Sequence, residues 1–349
     1  MKIALLLPAH AGIEWRWRSA ALAAALLATT APSGEPVEVA IGLPRTDEEA
    51  WRRQEADILA VAPGAVVRHL GWERIASDMA QRMFPQSNAD MSGIAECVVP
   101  RDWGWNFVDC DAWIIMSDRA LGAVMPVKPS AYYVRDMVER YVPEAFASDI
   151  NSVLWRLQSD AFQMMRRAPV VFASQGATLD DVSGYAGVRR NRLSRLPQLL
   201  PPKVKRVPSG STRRLVWMTD PGPRHGLISA LEALRMYQAD GGSMTVTVCG
   251  EHAYGFDPIE GQGPIGFVPT RSRRATLSTQ FETVADERQV ARVLQSADVI
   301  WSSATADAEN DGLLRAAAAG AAFVGLRYPQ SEALADRHAV PAVFYDAPD

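Results

Sequence analysis

Residues 298–325 hold the residue types and spacing that best fit the binding of an anion. An apolar run at 298–303 predicts a strand, small and polar residues follow at 304–311, and 312–319 predicts an alanine-rich helix. Two parallel strands joined by a helix are crossed right-handedly, which places the loop at the carboxyl edge of the sheet. The free N–H groups of the first helical turn point at that edge and stabilise negative charge there. We therefore expect this loop to hold an anionic group.

The same stretch resembles the nucleotide-sugar-binding segment of GT-B glycosyltransferases, in particular the large retaining glycosyltransferase family 4. Residues 315–320, Arg-Ala-Ala-Ala-Ala-Gly, occupy the place of the family motif Glu-Ala-x-Ala-x-Gly, so Arg315 stands where the family has its second Glu. Asp307 falls where the family has its first Glu, with Glu309 close by. The resemblance implies that Asp307, Glu309 and the N–H groups near Gly312 hold the sugar and the phosphates. An ordinary βαβ unit with a closely packed alanine helix is the alternative.

Residues 220–226, Asp-Pro-Gly-Pro-Arg-His-Gly, form a second candidate loop on the donor side. The family carries cationic residues here to neutralise the diphosphate, and the resemblance gives this role to Arg224, with His225 as a weaker donor. A guanidinium suits the role because it binds phosphate in a bidentate manner. A solvated Pro-Gly turn with incidental charges is the alternative. Gly250, which follows the next expected strand, is expected to let the nucleotide approach closely.

In the first half of the chain, Arg135 and Asp136 follow a strand expected at 130–134. His10 and Gly12 lie in the turn after the first expected strand. The resemblance implies that these four residues face the acceptor or the departing phosphate. The alternatives are that Asp136 is a helix N-cap beside a solvated Arg135, and that His10 is incidental.

Two further motifs are candidates for metal or nucleotide sites. Asp109-Cys110-Asp111 is a DxD sequence, the metal-binding signature of the other glycosyltransferase fold, GT-A. It precedes an apolar strand instead of ending one, so we interpret it as structural. The GxGxxG pattern at 261–266 neither follows a strand nor opens a helix, so we expect a loop. The resemblance to family 4 implies a reaction that needs no metal and no cofactor beyond its donor substrate, a nucleotide diphosphate sugar.

Alternating strands and helices must position these loops, and they predict an α/β fold. We expect two doubly wound Rossmann-like domains that face each other across a cleft, as in GT-B. The acceptor-side domain is expected at 1–196, a proline-rich linker at 197–212 and the nucleotide-sugar-binding domain at 213–349.

Local patterns within this scheme predict three further features. Thr46 is expected to cap a helix at 47–60, with Glu49 as its capping-box partner. Residues 83–105 are expected to be irregular, and Ser148 to cap a helix at 148–167.

Composition narrows the class of protein. The 349 residues are 48% apolar and 22% charged, as in soluble globular proteins, and the net charge of −4 argues against a general nucleic-acid binder. Three cysteines far apart predict a reduced, cytoplasmic chain with buried thiols. Residues 20–28 are apolar but too few to span a bilayer, which takes about 20 residues.

Basic residues predict a peripheral contact with an anionic membrane face. One group lies at 15–18, Trp-Arg-Trp-Arg, and the other is scattered over 189–206. Scattered solvated arginines are the alternative.

The expected activity is transfer of a hexose from a nucleotide diphosphate sugar to a saccharide or lipid-linked acceptor, with retention of configuration, in surface polysaccharide or glycan synthesis. One alternative is a catalytically inactive GT-B-like protein that binds a sugar nucleotide, which Arg315 and Asp220 favour. Another is a sugar-nucleotide epimerase-like protein. The family continues past the position of Asp349 into a helix that returns to the first domain, so the resemblance implies a truncated or atypical end.

Overall fold

The computed structural model describes residues 1–9, 11–87, 89–116, 121–141, 153–207, 210, 212–219, 226–251, 253, 279–304 and 310–346. The chain divides into two compact units. The first unit comprises Met1–Arg140 together with the described residues from 153 to Leu199. The second unit comprises Tyr141 together with the described residues from Leu200 onward.

The described elements of the first unit, in chain order, are β1 (Lys2–Leu6), α1 (Ile13–Leu27), β2 (Glu38–Pro44), α2 (Glu48–Val61), β3 (Val66–Leu70), β4 (Trp72–Ala76), α3 (Ser77–Met83), β5 (Glu96–Pro100), β6 (Ala112–Met116), β7 (Ser130–Tyr133), α4 (Val153–Arg167), β8 (Val170–Ala173), α5 (Gly176–Gly184) and β9 (Leu193–Arg195). Seven strands form a parallel sheet in the order β3-β2-β1-β6-β7-β8-β9. The strand order reverses between β1 and β6, which defines the crevice of a doubly wound sheet.

The second unit repeats this plan. Its described elements are β10 (Arg214–Met218), α6 (Leu227–Ala239), β11 (Thr245–Gly250), β12 (Thr279–Thr283), α7 (Glu287–Leu294), β13 (Val299–Ser302), α8 (Asp311–Ala319), β14 (Ala322–Leu326), α9 (Pro329–His338) and β15 (Ala342–Tyr345). The parallel sheet has the order β12-β11-β10-β13-β14-β15, so its crevice lies between β10 and β13.

The region from 83 to 105 is more regular than its sequence predicts. Strand β5 lies within it and pairs antiparallel with β4, outside the main sheet. Cys97, Val98 and Val99 are buried in the core of the first unit. The expectation of an irregular segment was wrong for Glu96–Pro100, where the nearby prolines and glycines concealed a five-residue strand.

The residue that caps the start of helix α2 differs from the one expected. The side chain of Asp47, not Thr46, caps α2, since its Oδ1 accepts a hydrogen bond of 2.9 Å from the N–H of Ala50. Thr46 donates instead to the carbonyl of Asp47. Ser148, the expected cap of α4, lies outside the described residues.

Helix α1 does not present a Trp-Arg surface. Trp15 and Trp17 are 1% and 3% exposed, because α1 packs against both β2 and α2. Arg16 and Arg18 are also buried, and their guanidinium groups donate to backbone carbonyl oxygens at 3.0 and 3.1 Å. The expectation that residues 15–18 form an exposed membrane-binding surface was therefore wrong.

No helix of the described residues is long and apolar enough to cross a bilayer. The three cysteines are free and buried, as their spacing predicted.

Candidate functional site

The carboxyl edge of the second sheet gathers the ends of three strands around its crevice. Thr219 follows β10, Gly250 ends β11, and Ser303 follows β13. Helix α8 begins at the same edge, as the strand–loop–helix pattern of the sequence predicted. The structure thus places Gly250 and Gly312 at one edge of one sheet, where doubly wound folds bind their ligands.

Thr219 has a buried hydroxyl without a partner. The residue is 5% exposed and its backbone N–H donates to the carbonyl of Cys249 at 3.0 Å. Its Oγ1 makes no hydrogen bond with any described residue. Leaving a buried hydroxyl unpaired costs about 1–3 kcal/mol. A hydroxyl kept at this edge despite that cost is suited to a polar ligand.

Two tryptophans lie on β10 and β13, the strands that flank the crevice. Trp217 is fully buried and stacks on Trp301 with ring centroids 5.1 Å apart. Its Nε1 donates a 2.8 Å hydrogen bond to Oγ of Ser303. The indole therefore fixes the orientation of the Ser303 hydroxyl beneath the edge.

The residue at the N-cap of α8 leaves the N–H groups of the first helical turn without a side-chain cap. Asn310 precedes it in a left-handed conformation, with φ of 53°, and its side chain caps none of the free N–H groups. Gly312 lies in this turn and is buried. Uncapped N–H groups together with the positive end of the helix dipole favour an anion at this position.

Arg315 is engaged within the second unit and is 3% exposed. Its Nε donates to Asp311 at 2.8 Å, and its Nη1 donates to Glu287 on α7 at 2.6 Å. Burial alone would lower the pKa of the Arg315 guanidinium, but the charges of Asp311 and Glu287 outweigh burial and raise it. Arg315 thus joins α7 to the start of α8 as a buried cation.

The first unit brings two of its expected site residues to one edge. Gly12 is the N-cap of α1, directly after the crevice strand β1. The guanidinium of Arg135, which follows β7, lies over the ring of Trp15 at 4.2 Å and 3.8 Å from the carboxylate of Glu14. Stacking on the indole and the ion pair with Glu14 together hold the guanidinium plane in place. Asp136 follows Arg135 in the non-helical segment that precedes a short 3-10 helix at Val138–Arg140.

The DxD sequence lies at the opposite edge. Asp109 accepts hydrogen bonds from Arg68 at 2.6 and 2.9 Å and from Lys2 at 2.7 Å. These bonds, those of Arg68 foremost, hold the pKa of the Asp109 carboxyl well below its usual 3.8. Asp111 accepts from the backbone N–H of Lys2 at 2.8 Å. Asp109 therefore links β1 to β3, and Asp111 links the start of β1 to the start of β6. Across the described residues, no His, Cys, Asp and Glu cluster is arranged to hold a metal.

Several expected site residues lie outside the described part of the chain, namely His10, Asp220, Arg224, His225, Asp307 and Glu309, together with the GxGxxG pattern. Sequence reasoning in turn missed Thr219 and the pairing of Trp217 with Ser303. Thr219 directly follows the apolar run Leu-Val-Trp-Met at 215–218, and a polar residue at the end of such a run was the signal that could have found it.

Comparison with known proteins gives matches to the fold of this chain but none to its sequence. No protein-family model and no curated protein sequence matches this chain. Among solved structures, HepE from Anabaena in complex with UDP and glucose is 14% identical, covers 96% of this chain and 83% of its own, and gives a TM-score of 0.59. WaaG, a glycosyltransferase involved in lipopolysaccharide biosynthesis, is 13% identical over 99% of this chain and 86% of its own, with a TM-score of 0.53. A glycosyltransferase from Rickettsia africae is 9% identical over 99% and 84%, with a TM-score of 0.51.

The chain has the GT-B fold. The expected α/β class with two Rossmann-like sheets is thereby confirmed. These structures do not single out family 4 among the GT-B glycosyltransferases.

Proposed function

We propose that this GT-B chain is a glycosyltransferase that moves a hexose from a nucleotide diphosphate sugar to a saccharide or lipid-linked acceptor. The observation that carries the proposal is the crevice edge of the second sheet, where the side chain of Asn310 caps no N–H group of α8 and the hydroxyl of Thr219 is buried with no hydrogen-bond partner among the described residues. An anion with hydrogen-bonding oxygens satisfies both. HepE, whose fold matches over 96% of this chain, was solved with UDP and glucose, which supports a nucleotide sugar as that anion.

We assign the donor side as follows. Arg224 and His225 neutralise the diphosphate, and Asp307, Glu309 and the N–H groups near Gly312 hold the sugar and phosphates. Gly250 lets the nucleotide approach. Positive charge and N–H donors are needed most as the diphosphate departs, because charge grows on its oxygens in the transition state. The proposed reaction retains configuration and uses neither a metal nor a cofactor.

The acceptor side is assigned to the carboxyl edge of the first sheet, with His10, Gly12, Arg135 and Asp136. The guanidinium of Arg135 is held by Trp15 and is 15% exposed, so it is preorganised for an anionic or polyhydroxyl group. We propose a role in surface polysaccharide or glycan synthesis.

The proposed location is cytoplasmic, with a peripheral contact to the inner membrane face. Because residues 15–18 are buried, the proposed membrane contact rests on the basic residues at 189–206. Among these, Arg189, Arg190 and Arg195 are exposed. Flotation with anionic vesicles at low salt tests it, and absence of co-flotation would leave these arginines as scattered surface charges.

A donor screen with product analysis tests the function. UDP-, GDP- and dTDP-sugars are first compared by thermal shift, and the best donor is then incubated with and without a saccharide acceptor. The proposal expects stabilisation by one nucleotide class and sugar transfer that depends on the acceptor. Stabilisation without turnover would instead favour the inactive binding protein, and acceptor-independent interconversion would favour an epimerase-like protein.

A further inference from the structure

A cavity of about 750 Å³ opens in the first unit, away from the edge that carries the acceptor side. Its lining includes Ser130, the first residue of β7, Pro169 just before β8 and Arg192 just before β9. These strands are parallel, so the three residues mark the amino-terminal edge of the sheet. The volume falls within the roughly 300–1,000 Å³ of small-molecule sites.

The lining of this cavity is strongly cationic. Five of its side chains are basic and one is acidic, namely Lys128, Arg166, Arg167, Arg189, Arg192 and Asp90. The whole chain carries a net charge of −4, so overall composition does not account for this concentration of positive charge. A concave surface lined by one sign of charge attracts ligands of the opposite sign.

Backbone carbonyls hold three of these cations. Arg192 donates to two carbonyl oxygens at the end of α4, at 2.6 and 3.4 Å. Arg167 donates to two carbonyl oxygens in the segment after α3, both at 2.7 Å, and Lys128 donates to the carbonyl of Val108 at 2.8 Å. Carbonyl groups orient a cation without cancelling its charge. Asp90, 3.7 Å from Arg167, is the one carboxylate that lines the cavity.

The end of helix α4 does not account for this charge. Cations near a helix C-terminus offset a dipole equivalent to roughly half an elementary charge. Arg192 already caps that end, yet Arg166 and Arg189 add two more guanidinium groups. Neither of them makes a hydrogen bond or ion pair with a side chain that the structure describes.

Apolar side chains complete the lining, among them Val127, Tyr132 and Met164. We propose that this cavity binds a phosphate-bearing organic ligand, whose phosphate contacts the guanidinium groups and whose carbon skeleton packs on these apolar side chains. Arginine suits phosphate because its planar fork binds two oxygens at once. The site lies beyond the proposed transfer reaction, since it belongs to the other edge of the first sheet. A soluble phosphate ester and the phosphate headgroup of a lipid both carry the required group.

Charge reversal in two matched double variants tests the site. Arg166→Glu/Arg189→Glu changes two cavity arginines that hold no described side chain in place. Arg52→Glu/Arg156→Glu changes net charge by the same amount outside both the cavity and residues 189–206, at arginines whose side chains are 72% and 59% exposed and pair with surface carboxylates. Inorganic pyrophosphate is titrated by calorimetry, and vesicles containing phosphatidic acid are compared with phosphatidylcholine vesicles by flotation. Thermal melting confirms that both variants are folded.

The cavity variant is expected to bind at least about tenfold more weakly than wild type, with the matched variant within about twofold. Pyrophosphate binding that is lost in the cavity variant identifies a soluble phosphate ligand, and loss confined to phosphatidic acid vesicles identifies a lipid headgroup. Equal weakening in both variants would show general charge attraction, and binding unchanged in the cavity variant would place the phosphate elsewhere, for example in the second unit. Either result, or no binding by wild type, overturns the proposal.

Discussion

At the scale of single residues, Arg224 carries the largest expected effect on rate. It is the one Arg or Lys in the 220–226 loop, so Arg224→Ala should lower turnover by about 10²–10³-fold, the scale of losing one preorganised donor. Arg224→Lys should recover part of this loss because the charge remains without the bidentate geometry. Steady-state kinetics with the donor from the screen measures both.

The matched contrast is Asp109→Ala with chelation, which should leave turnover nearly unchanged, since Asp109 is held by Arg68 and Lys2. An active Arg224→Ala with an inactive Asp109→Ala and loss of activity in EDTA would move the chemistry to the first unit and to a metal.

Thr219 offers a separate test of the nucleotide crevice. Thr219→Val removes the unpaired hydroxyl while keeping the shape, so the free protein should gain about 1 kcal/mol in free energy of unfolding. Affinity for the nucleotide should fall by about two- to tenfold, the value of one hydrogen bond. Urea denaturation and calorimetry measure the two quantities. Thr247→Val, the same change in the middle of β11, should leave affinity unchanged; equal losses in the two variants would argue against a ligand contact at Thr219.

Asp109 gives a prediction about pH. Its folded pKa lies below the usual 3.8, so its contribution to stability is complete above that value and is lost as the pH falls below it. The stability difference between wild type and Asp109→Asn should therefore shrink from about pH 5 to about pH 2. Asp78→Asn breaks an ion pair in which both side chains are more than 70% exposed, and it should show little difference at any pH. A difference for Asp109→Asn that grows in acid would contradict this account.

At the scale of elements, the buried ion pairs of Arg315 join α7 to α8. Arg315→Met leaves the carboxylates of Asp311 and Glu287 without their cation, which should cost about 3–5 kcal/mol. Arg315→Glu should be at least as damaging because it places three carboxylates together. Adding Glu287→Gln to Arg315→Met should recover part of the loss, since it removes one uncompensated charge.

Urea denaturation measures these variants, with Arg292→Met as the control on the exposed side of α7. The control should change stability by less than about 0.5 kcal/mol. An Arg315→Met protein as stable as the control would show that the ion pairs of Arg315 do not stabilise the packing of α7 on α8.

How far sequence predicts the elements depends on how local their signals are. Helix α8 and its neighbouring strands were predicted to within a residue or two, because a short apolar run, an alanine helix and Gly320, with φ of 63° at the C-cap, are local features. Strand β5 and the burial of Trp15 and Trp17 were not predicted, since both depend on partners far along the chain. The role of Arg315 needed Glu287, which is distant in sequence and adjacent only once α7 packs on α8.

At the scale of the whole molecule, the two units divide the proposed work. Each has its own parallel sheet and its own crevice edge, and the cationic cavity belongs to the first unit alone. Sequence alternation predicted this plan because a parallel sheet requires a crossover helix between strands. The cavity was not predictable, because its arginines come from segments that meet only at the amino edge of the first sheet.

The division into two units predicts which backbone amides a bound nucleotide protects from exchange. At a hundredfold excess over Kd, a nucleotide diphosphate stabilises the state that binds it by about 2.7 kcal/mol. Amide exchange should therefore slow in the first turn of α8 and at the end of β11. Exchange around β7 and β8 should change little, because local opening of the first unit leaves the nucleotide contacts in the second unit intact. Hydrogen exchange with mass spectrometry measures this peptide by peptide. The Arg166→Glu/Arg189→Glu protein serves as the control and should keep the full nucleotide protection, since its changes lie in the other unit. Protection confined to the first unit would contradict the assignment of the donor to the second sheet and would turn the search for the nucleotide toward the cationic cavity.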